Sequence, residues 1–457
     1  MAQDLTGRVI DVLEARREFV RSPEVREAAE IHILDTLAAV VSGRIMPAGV
    51  AAARWLETRS ASGRSTVAGV EGGWHPEDAA FANAMCAHAD ESDDSHEPSR
   101  THPGAAIVPA VLAVAEHLGS SGEEVLDAVS IGYEACALMN WLGWDNKKAR
   151  QQATVSTHAL GSLWGSAFGA AALHGFDRDQ LRPLISYTVQ LAGGVTTWLR
   201  DEHHIEKAFA FCAMGANNGV RAAELVAAGW PGVRDALDGS PSYFTAFNLT
   251  PDLSALDRLA GNQAIVVETN IKKYCVGSPA QAAVQAAEEL YADGVRAEDV
   301  QRMRVALPAD IAFVVDQRDM EDINVQYLVS RTLIDGACTF AAAHDKGGSR
   351  RPEVASLLGT TTLVPDHDME LKRQARVEVD LADGTTRSRT VFPVRGTSDD
   401  PMTREEVEVK ADDLLGMGLE AADRAALIEA CRGLDTAGVA TIARCLRATH
   451  DTGVYVH

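Results

Sequence analysis

The sequence predicts a mainly α-helical protein with an α+β second domain, on three observations. The chain has 457 residues, beyond the roughly 250–300 at which one hydrophobic core stops growing, so two domains are expected. Apolar residues recur at helical spacing up to about residue 250. After Asn262 the pattern turns to β-branched and alternating stretches, and helical character returns beyond Pro401. The expected organisation is a large all-helical domain of residues 1–261 and 399–457 and a smaller α+β domain of 262–398.

The elements follow in order. Ser22-Pro23-Glu24, then Val25, Ala28, Ala29, Leu34, Leu37, Ala38 and Val41, then Gly43, read as a cap, a first-turn proline, one apolar face and a stop. Similar patterns occupy Pro103–Leu118, Gly122–Leu142 behind the capping-box sequence Ser121-Gly-Glu-Glu124, Val155–His174 and Lys207–Ala228. Their Ala and Gly richness implies helices that approach closely. In the second domain Ala264–Glu268 is rich in β-branched residues and reads as extended. Met303, Val305 and Leu307 alternate with Arg302 and Arg304. Val377, Val379 and Leu381 alternate before Asp383-Gly384, a two-residue hairpin signal leading into Thr385–Val391. Two helices, Pro279–Ala292 and Val325–Ala343, interrupt these strands.

A formal net charge of -23 argues against nucleic acid and anionic membranes as partners, because both select surfaces rich in Lys and Arg. A small anion remains compatible if its pocket is locally cationic. The seven cysteines are scattered without CxxC spacing and read as reduced, mostly buried thiols. Met1 to Glu30 has no apolar signal core, so a cytoplasmic protein is expected. The uncharged stretch Ala153–Phe176 carries Ser156, His158, Ser162, Ser166 and His174, which suits a buried helix better than a membrane span.

Five segments hold groups that can do chemistry. His88 to Gly104 packs Asp90, Glu91, Asp93, Asp94, His96 and His102 between two apolar helices. Such groups held close shift one another's pKa and suit acid/base work; the alternative is a solvated polar loop. A metal reading finds no EF-hand or HExxH spacing there, and no metal is expected. His158 heads an Ala/Gly-rich helix, where a hydrogen-bonded core histidine is the ordinary reading. Lys207 enters an otherwise apolar segment and either snorkels outward or holds an anion. Lys272 and Lys273 precede Ser278-Pro279-Ala-Gln281, which reads as a capping box whose helix N-terminus faces the same loop as the lysines. Tyr327 opens an apolar helix, where packing against the core is the plain explanation.

In order, these segments resemble the MmgE/PrpD family over nearly the whole chain. The residues carrying the resemblance are His88–Gly104 with Val108–His117, Gly132-Tyr-Glu134, Thr157-His-Ala-Leu-Gly161, Glu206-Lys207 with Gly215-Ala-Asn-Asn-Gly219, and Lys272-Lys-Tyr274 with Gly277-Ser-Pro279. The resemblance implies a helical domain from both chain ends, an α+β lid, an active site between them, a homodimer and no cofactor. It also implies a site of catalytic His102, His158, Asp93, Lys272 and Tyr327, with Lys207, Asp94, Ser95, Lys273 and Ser278 binding the substrate. The implied activity is that of a metal-free lyase acting beside a carboxylate of a small di- or tricarboxylic acid, by dehydration or decarboxylation. Epimerisation of a similar acid and carboxylate binding without catalysis are the alternatives. The chain departs from the family pattern at Asp90-Glu91-Ser92-Asp93-Asp94-Ser95, where Leu-Asp-Phe-Asp-Asp-Thr is usual. Gly277 and Ser278 stand where the decarboxylase and dehydratase branches tend to carry a histidine.

Overall fold

The computed structural model describes residues 4–144, 154–261, 263–370 and 372–450. The expectations that touch residues 1–3, Ala153, Asn262 and 451–457 lie outside the described residues. The chain divides into two compact units. One comprises Met1–Ala89, Asp93–Asn270 and Thr403–Val456, the other Asp90–Ser92 and Ile271–Met402.

The first unit is helical. Pro23–Gly43, Pro76–Ala87 and Pro103–Leu118 each begin with a proline at the first helical position, where its missing N–H costs no intrahelical bond. Gly122–Trp144 starts behind the expected capping box: the Ser121 amide donates to Glu124 Oε2 at 2.7 Å and the Glu124 amide to Ser121 Oγ at 3.3 Å. This helix packs on Thr157–Leu173 at glycines. A Cβ on Gly132 would lie 2.9 Å from the Gly165 carbonyl oxygen, and one on Gly165 2.9 Å from that of Gly132, so only glycine permits the approach. The helix Arg404–Leu415, from the C-terminal part of the chain, packs against Pro23–Gly43, where Lys410 Nζ meets buried Asp35 at 2.6 Å.

Three features of this unit differ from the expectation. Ile265–Glu268 is a helical turn, not extended chain. Burial of Ile265 and Val266, and a bond from the Ile265 amide to buried Glu134 at 2.9 Å, override the β-branched propensity. The helix expected over Lys207–Ala228 is interrupted by a π-helical turn, Phe209–Ala213, between Ile205–Ala208 and Met214–Ala227. A short antiparallel pair, Ser65–Val67 with Val70–Trp74, was not anticipated.

The second unit holds a four-stranded sheet in the order Thr361–Asp366, Val300–Pro308, Ala375–Leu381, Thr386–Val391. The first pair is parallel and the others antiparallel. The alternation seen in sequence turns Met303, Val305, Leu307, Val377 and Val379 into a core shared with Ala283, Val284, Ala287 and Leu290 of the helix Gln281–Ala292. The expected helix Val325–Ala343 is two helices, Val325–Asp335 and Phe340–Ala343, because Gly336 adopts φ +80° and ends the first. The capping box at Ser278 does not form. Residues Ser278–Ala280 make a 3-10 turn and the α-helix begins only at Gln281. The Gln281 side chain turns instead to this loop, its Nε2 donating to the Tyr274 and Val276 carbonyls at 2.8 and 2.9 Å.

Among the described residues no single helix is both long and apolar enough to cross a membrane. Six of the seven cysteines are buried, Cys338 is half-buried, and none is joined in a disulfide.

Candidate active site

In the helical unit, element ends gather the chemistry. His88 is the C-terminal cap residue of Pro76–Ala87, and His102 is the N-cap of Pro103–Leu118. His158 lies in the first turn of Thr157–Leu173, behind the capping hydroxyl of Ser156. The short loop between the first two helices carries Asp93 and Asp94 back into the interior, and both are fully buried.

Asp93 is the hub. Its Oδ2 lies 2.9 Å from Nδ1 of His88 and 2.9 Å from Nδ1 of His102. An ionised carboxylate only accepts, so both imidazoles donate Nδ1–H and each carries its lone pair, when neutral, on Nε2. Phe211, in the π-helical turn, is the floor: His158 stacks on it at 3.9 Å between centroids and His88 at 4.6 Å. His102 is 5.5 Å from His158 and 5.0 Å from His88, ring to ring. Lys207 sits one helical turn before Phe211 and holds its ammonium 5.3 Å from that ring. The expected pairing of His102, His158 and Asp93 with Lys207 is therefore a spatial cluster.

Burial is the main reason that His88 and His158 are held well below the ordinary histidine pKa. For His158 the neighbouring His102 and His88 add to the effect; for His88 the contact with Asp93 opposes it and Lys207 reinforces it. Both imidazoles are consequently neutral at pH 7. Neutral imidazoles beside an ammonium group can accept a proton from carbon and return one, while the cation holds an anion in place.

Asp94 does something else. Its Oδ2 accepts from His32 Nδ1 at 2.8 Å and the Tyr133 hydroxyl at 2.6 Å, and its Oδ1 accepts from the Gly104 amide at 2.8 Å. It thus caps the helix that presents His102. A Cβ on Gly104 would come within 2.8 Å of Asp94 Oδ2 and 2.7 Å of the Tyr133 oxygen. Burial, then the Asp94 charge, drives the Tyr133 hydroxyl well above its usual pKa, so it stays a donor. Ser95 is buried and pairs through its backbone with Asn270.

The remaining expected residues lie in the α+β unit. Lys272 is buried, with Nζ 3.0 Å from the Glu91 carbonyl oxygen and 3.1 Å from Glu91 Oε2. Lys273 is exposed and bonds the Tyr274 hydroxyl at 3.0 Å and Glu288 at 3.2 Å. Ser278 Oγ is buried without a hydrogen-bond partner. Tyr327 is fully buried and donates to the Ala342 carbonyl at 2.6 Å. Burial is the leading cause that pushes its pKa up to about 12.

Phe211, His32, Tyr133 and His88 are not among the site residues expected from the sequence. Two signals were present. His32 is a polar residue on the apolar face of its helix, and Phe211 lies four residues after Lys207, on the same face of a helix. One set of possible metal ligands lies in the helical unit: His88, Asp93 and Cys212 each bring a donor atom within 4.8 Å of the others.

Fold and cluster define a two-unit protein, helical and α+β, whose helical unit gathers groups suited to proton transfer beside an anion. The chain belongs to the MmgE/PrpD family: the MmgE/PrpD N-terminal domain matches residues 14–255 and the MmgE/PrpD C-terminal domain residues 274–435. It is similar to human cis-aconitate decarboxylase, with 26% identity over 404 residues, covering 83% of this chain and 81% of the relative. The mouse cis-aconitate decarboxylase is 26% identical, covering 73% and 71%. The cis-aconitate decarboxylase-like protein oryM of Aspergillus oryzae is 24% identical, covering 85% of each chain.

Proposed function

We propose that the chain is a lyase that acts on a small di- or tricarboxylic acid, removing CO2 or water next to a carboxylate without a metal cofactor. The observation that carries the reading is the cluster of His102 and His88 on Asp93, with His158 and the Lys207 ammonium around Phe211. The named decarboxylase relatives support it. In the decarboxylation, the C–C bond to one carboxylate breaks and CO2 leaves. Its electron pair stays on the substrate carbon as a stabilised carbanion, and an imidazolium Nε2–H of His102 protonates it. In the dehydration, a neutral imidazole takes the proton beside the carboxylate, and hydroxide leaves with a proton as water. Lys207 pairs with a retained carboxylate in either case, which reconciles an anionic substrate with an acidic chain.

His102 and His158 also suit an epimerase, one imidazole removing a proton and the other returning it to the opposite face. A single experiment separates these outcomes: proton NMR in D2O with cis-aconitate, citrate, 2-methylcitrate and iminodisuccinate. CO2 loss or alkene formation supports the lyase, and deuterium uptake with the carbon skeleton intact supports the epimerase. Binding without exchange or product overturns both. Dialysis against a chelator should leave turnover intact, and loss of activity contradicts the metal-free reading. A homodimer belongs to the same proposal, and sedimentation velocity checks it.

A further inference from the structure

We propose that His88, Asp93 and Cys212 form a binding site for a thiophilic divalent cation of the Zn2+ class, and that its occupancy switches the imidazole cluster off. All three residues belong to the helical unit and are buried. Their donor atoms lie within 4.8 Å of one another. Ligands of a tetrahedral Zn2+ at bonds of about 2.0–2.3 Å lie roughly 3.3–3.8 Å apart, so the cluster closes on the ion by a movement on the order of 1 Å.

The donor set is the kind that zinc selects: one thiolate, one imidazole and one carboxylate, which leaves a fourth position for water or substrate. The His88 nitrogen that faces Asp93 is Nδ1, 2.9 Å from its Oδ2, and it offers its lone pair to a shared ion once its proton moves to Nε2, which is buried without a hydrogen-bond partner. Cys212 is delivered by the π-helical turn Phe209–Ala213, which departs from regular helical spacing directly at Phe211 and Cys212. Charge does not oppose binding, despite Lys207 nearby. The thiolate and the carboxylate together carry two negative charges and neutralise the ion. In forming the site Zn2+ replaces the Cys212 thiol proton, which leaves to solvent, and no electron is transferred.

The consequence for the cluster is direct. Asp93 Oδ2 is the acceptor that orients His102. A metal ion bound to Asp93 withdraws charge from that oxygen, weakens its hold on His102 Nδ1–H and makes His102 a poorer base. The inhibition rests on the proposed acid/base function, but the binding does not.

The test uses the full chain, dialysed against a chelator and titrated with Co2+ as an optical reporter, then with Zn2+. The expected result is one equivalent bound per chain, with a thiolate-to-cobalt absorption band that Zn2+ displaces. Both should disappear in Cys212→Ala and in the volume-conserving Cys212→Ser, and affinity should fall at least tenfold in Asp93→Asn. At the same occupancy Zn2+ should suppress turnover of whichever polycarboxylate is active, and chelator should restore it. Equal binding by wild type and both Cys212 variants, or no thiolate band, overturns the site. Stoichiometric binding with undiminished turnover overturns the inhibitory role. If no polycarboxylate turns over, the cobalt spectrum still decides the site on its own.

Discussion

The imidazole of His158 lies face to face with the ring of Phe211, 3.9 Å between centroids and 16° from parallel. Burial of this kind disfavours the charged form and holds the His158 pKa well below its ordinary 6.5. If a neutral imidazole is the base, kcat/KM stays level as pH falls through 6.5 and drops only at lower pH. Phe211→Leu opens the face of the ring to water, makes the imidazolium easier to form and moves the acidic limb upward towards 6.5. A pH profile that is identical in wild type and variant would remove His158 from the proton transfer.

Asp93 sets the tautomer of two histidines at once. In Asp93→Asn the amide offers a donor as well as an acceptor, so His102 no longer keeps its lone pair on Nε2. Turnover should fall by roughly 100-fold or more, in kcat more than in KM. Steady-state kinetics with circular dichroism as a folding control checks this. A change confined to KM means that Asp93 holds substrate instead of orienting a base.

Lys207 carries the cation of the same cluster. Lys207→Ala removes a charge-assisted hydrogen bond to a substrate carboxylate worth about 1.5–3 kcal/mol, so KM should rise by roughly one to two orders of magnitude. Lys207→Arg should recover part of the loss because the charge remains. Equal affinity in all three proteins, measured by isothermal titration with a non-reacting dicarboxylate, places the anion elsewhere.

Lys272 already has a carboxylate partner within its own unit, and its neighbour Glu91 is almost completely buried at 2% exposure. Lys272→Met takes the ammonium away from that buried carboxylate and should cost about 3–5 kcal/mol of stability. The paired change Lys272→Met with Glu91→Gln should recover much of it, since the buried charge goes with its partner. Denaturation midpoints of the single and double variants measure the difference. An unaltered midpoint in Lys272→Met would mean that the ammonium serves a ligand and not the fold.

Local patterns carried much of this protein in its sequence. Pro103–Leu118 runs over the expected residues, and Val300–Pro308 and the Asp383-Gly384 hairpin follow their alternation. These features depend on neighbours two to four residues apart, and a linear reading sees that spacing directly. The polar segment His88–Gly104 and Lys207 were likewise legible, because such side chains between apolar helices stand out.

Where the element ends meet was decided by tertiary packing. Asp94 is satisfied by His32, 62 residues away, and by Tyr133, 39 residues away, and no local pattern links them. Ile265–Glu268 became helical through burial and a bond to Glu134, against its β-branched composition. Ser278 lost its capping role because Gln281 found backbone carbonyls within its own loop. By itself the sequence determined which residues could titrate, bind anions or form helices, since those are properties of side chains and their spacing. Only the folded chain decided that His88 and His102 share one oxygen of Asp93 over Phe211, because long-range packing and desolvation choose partners and set their charge.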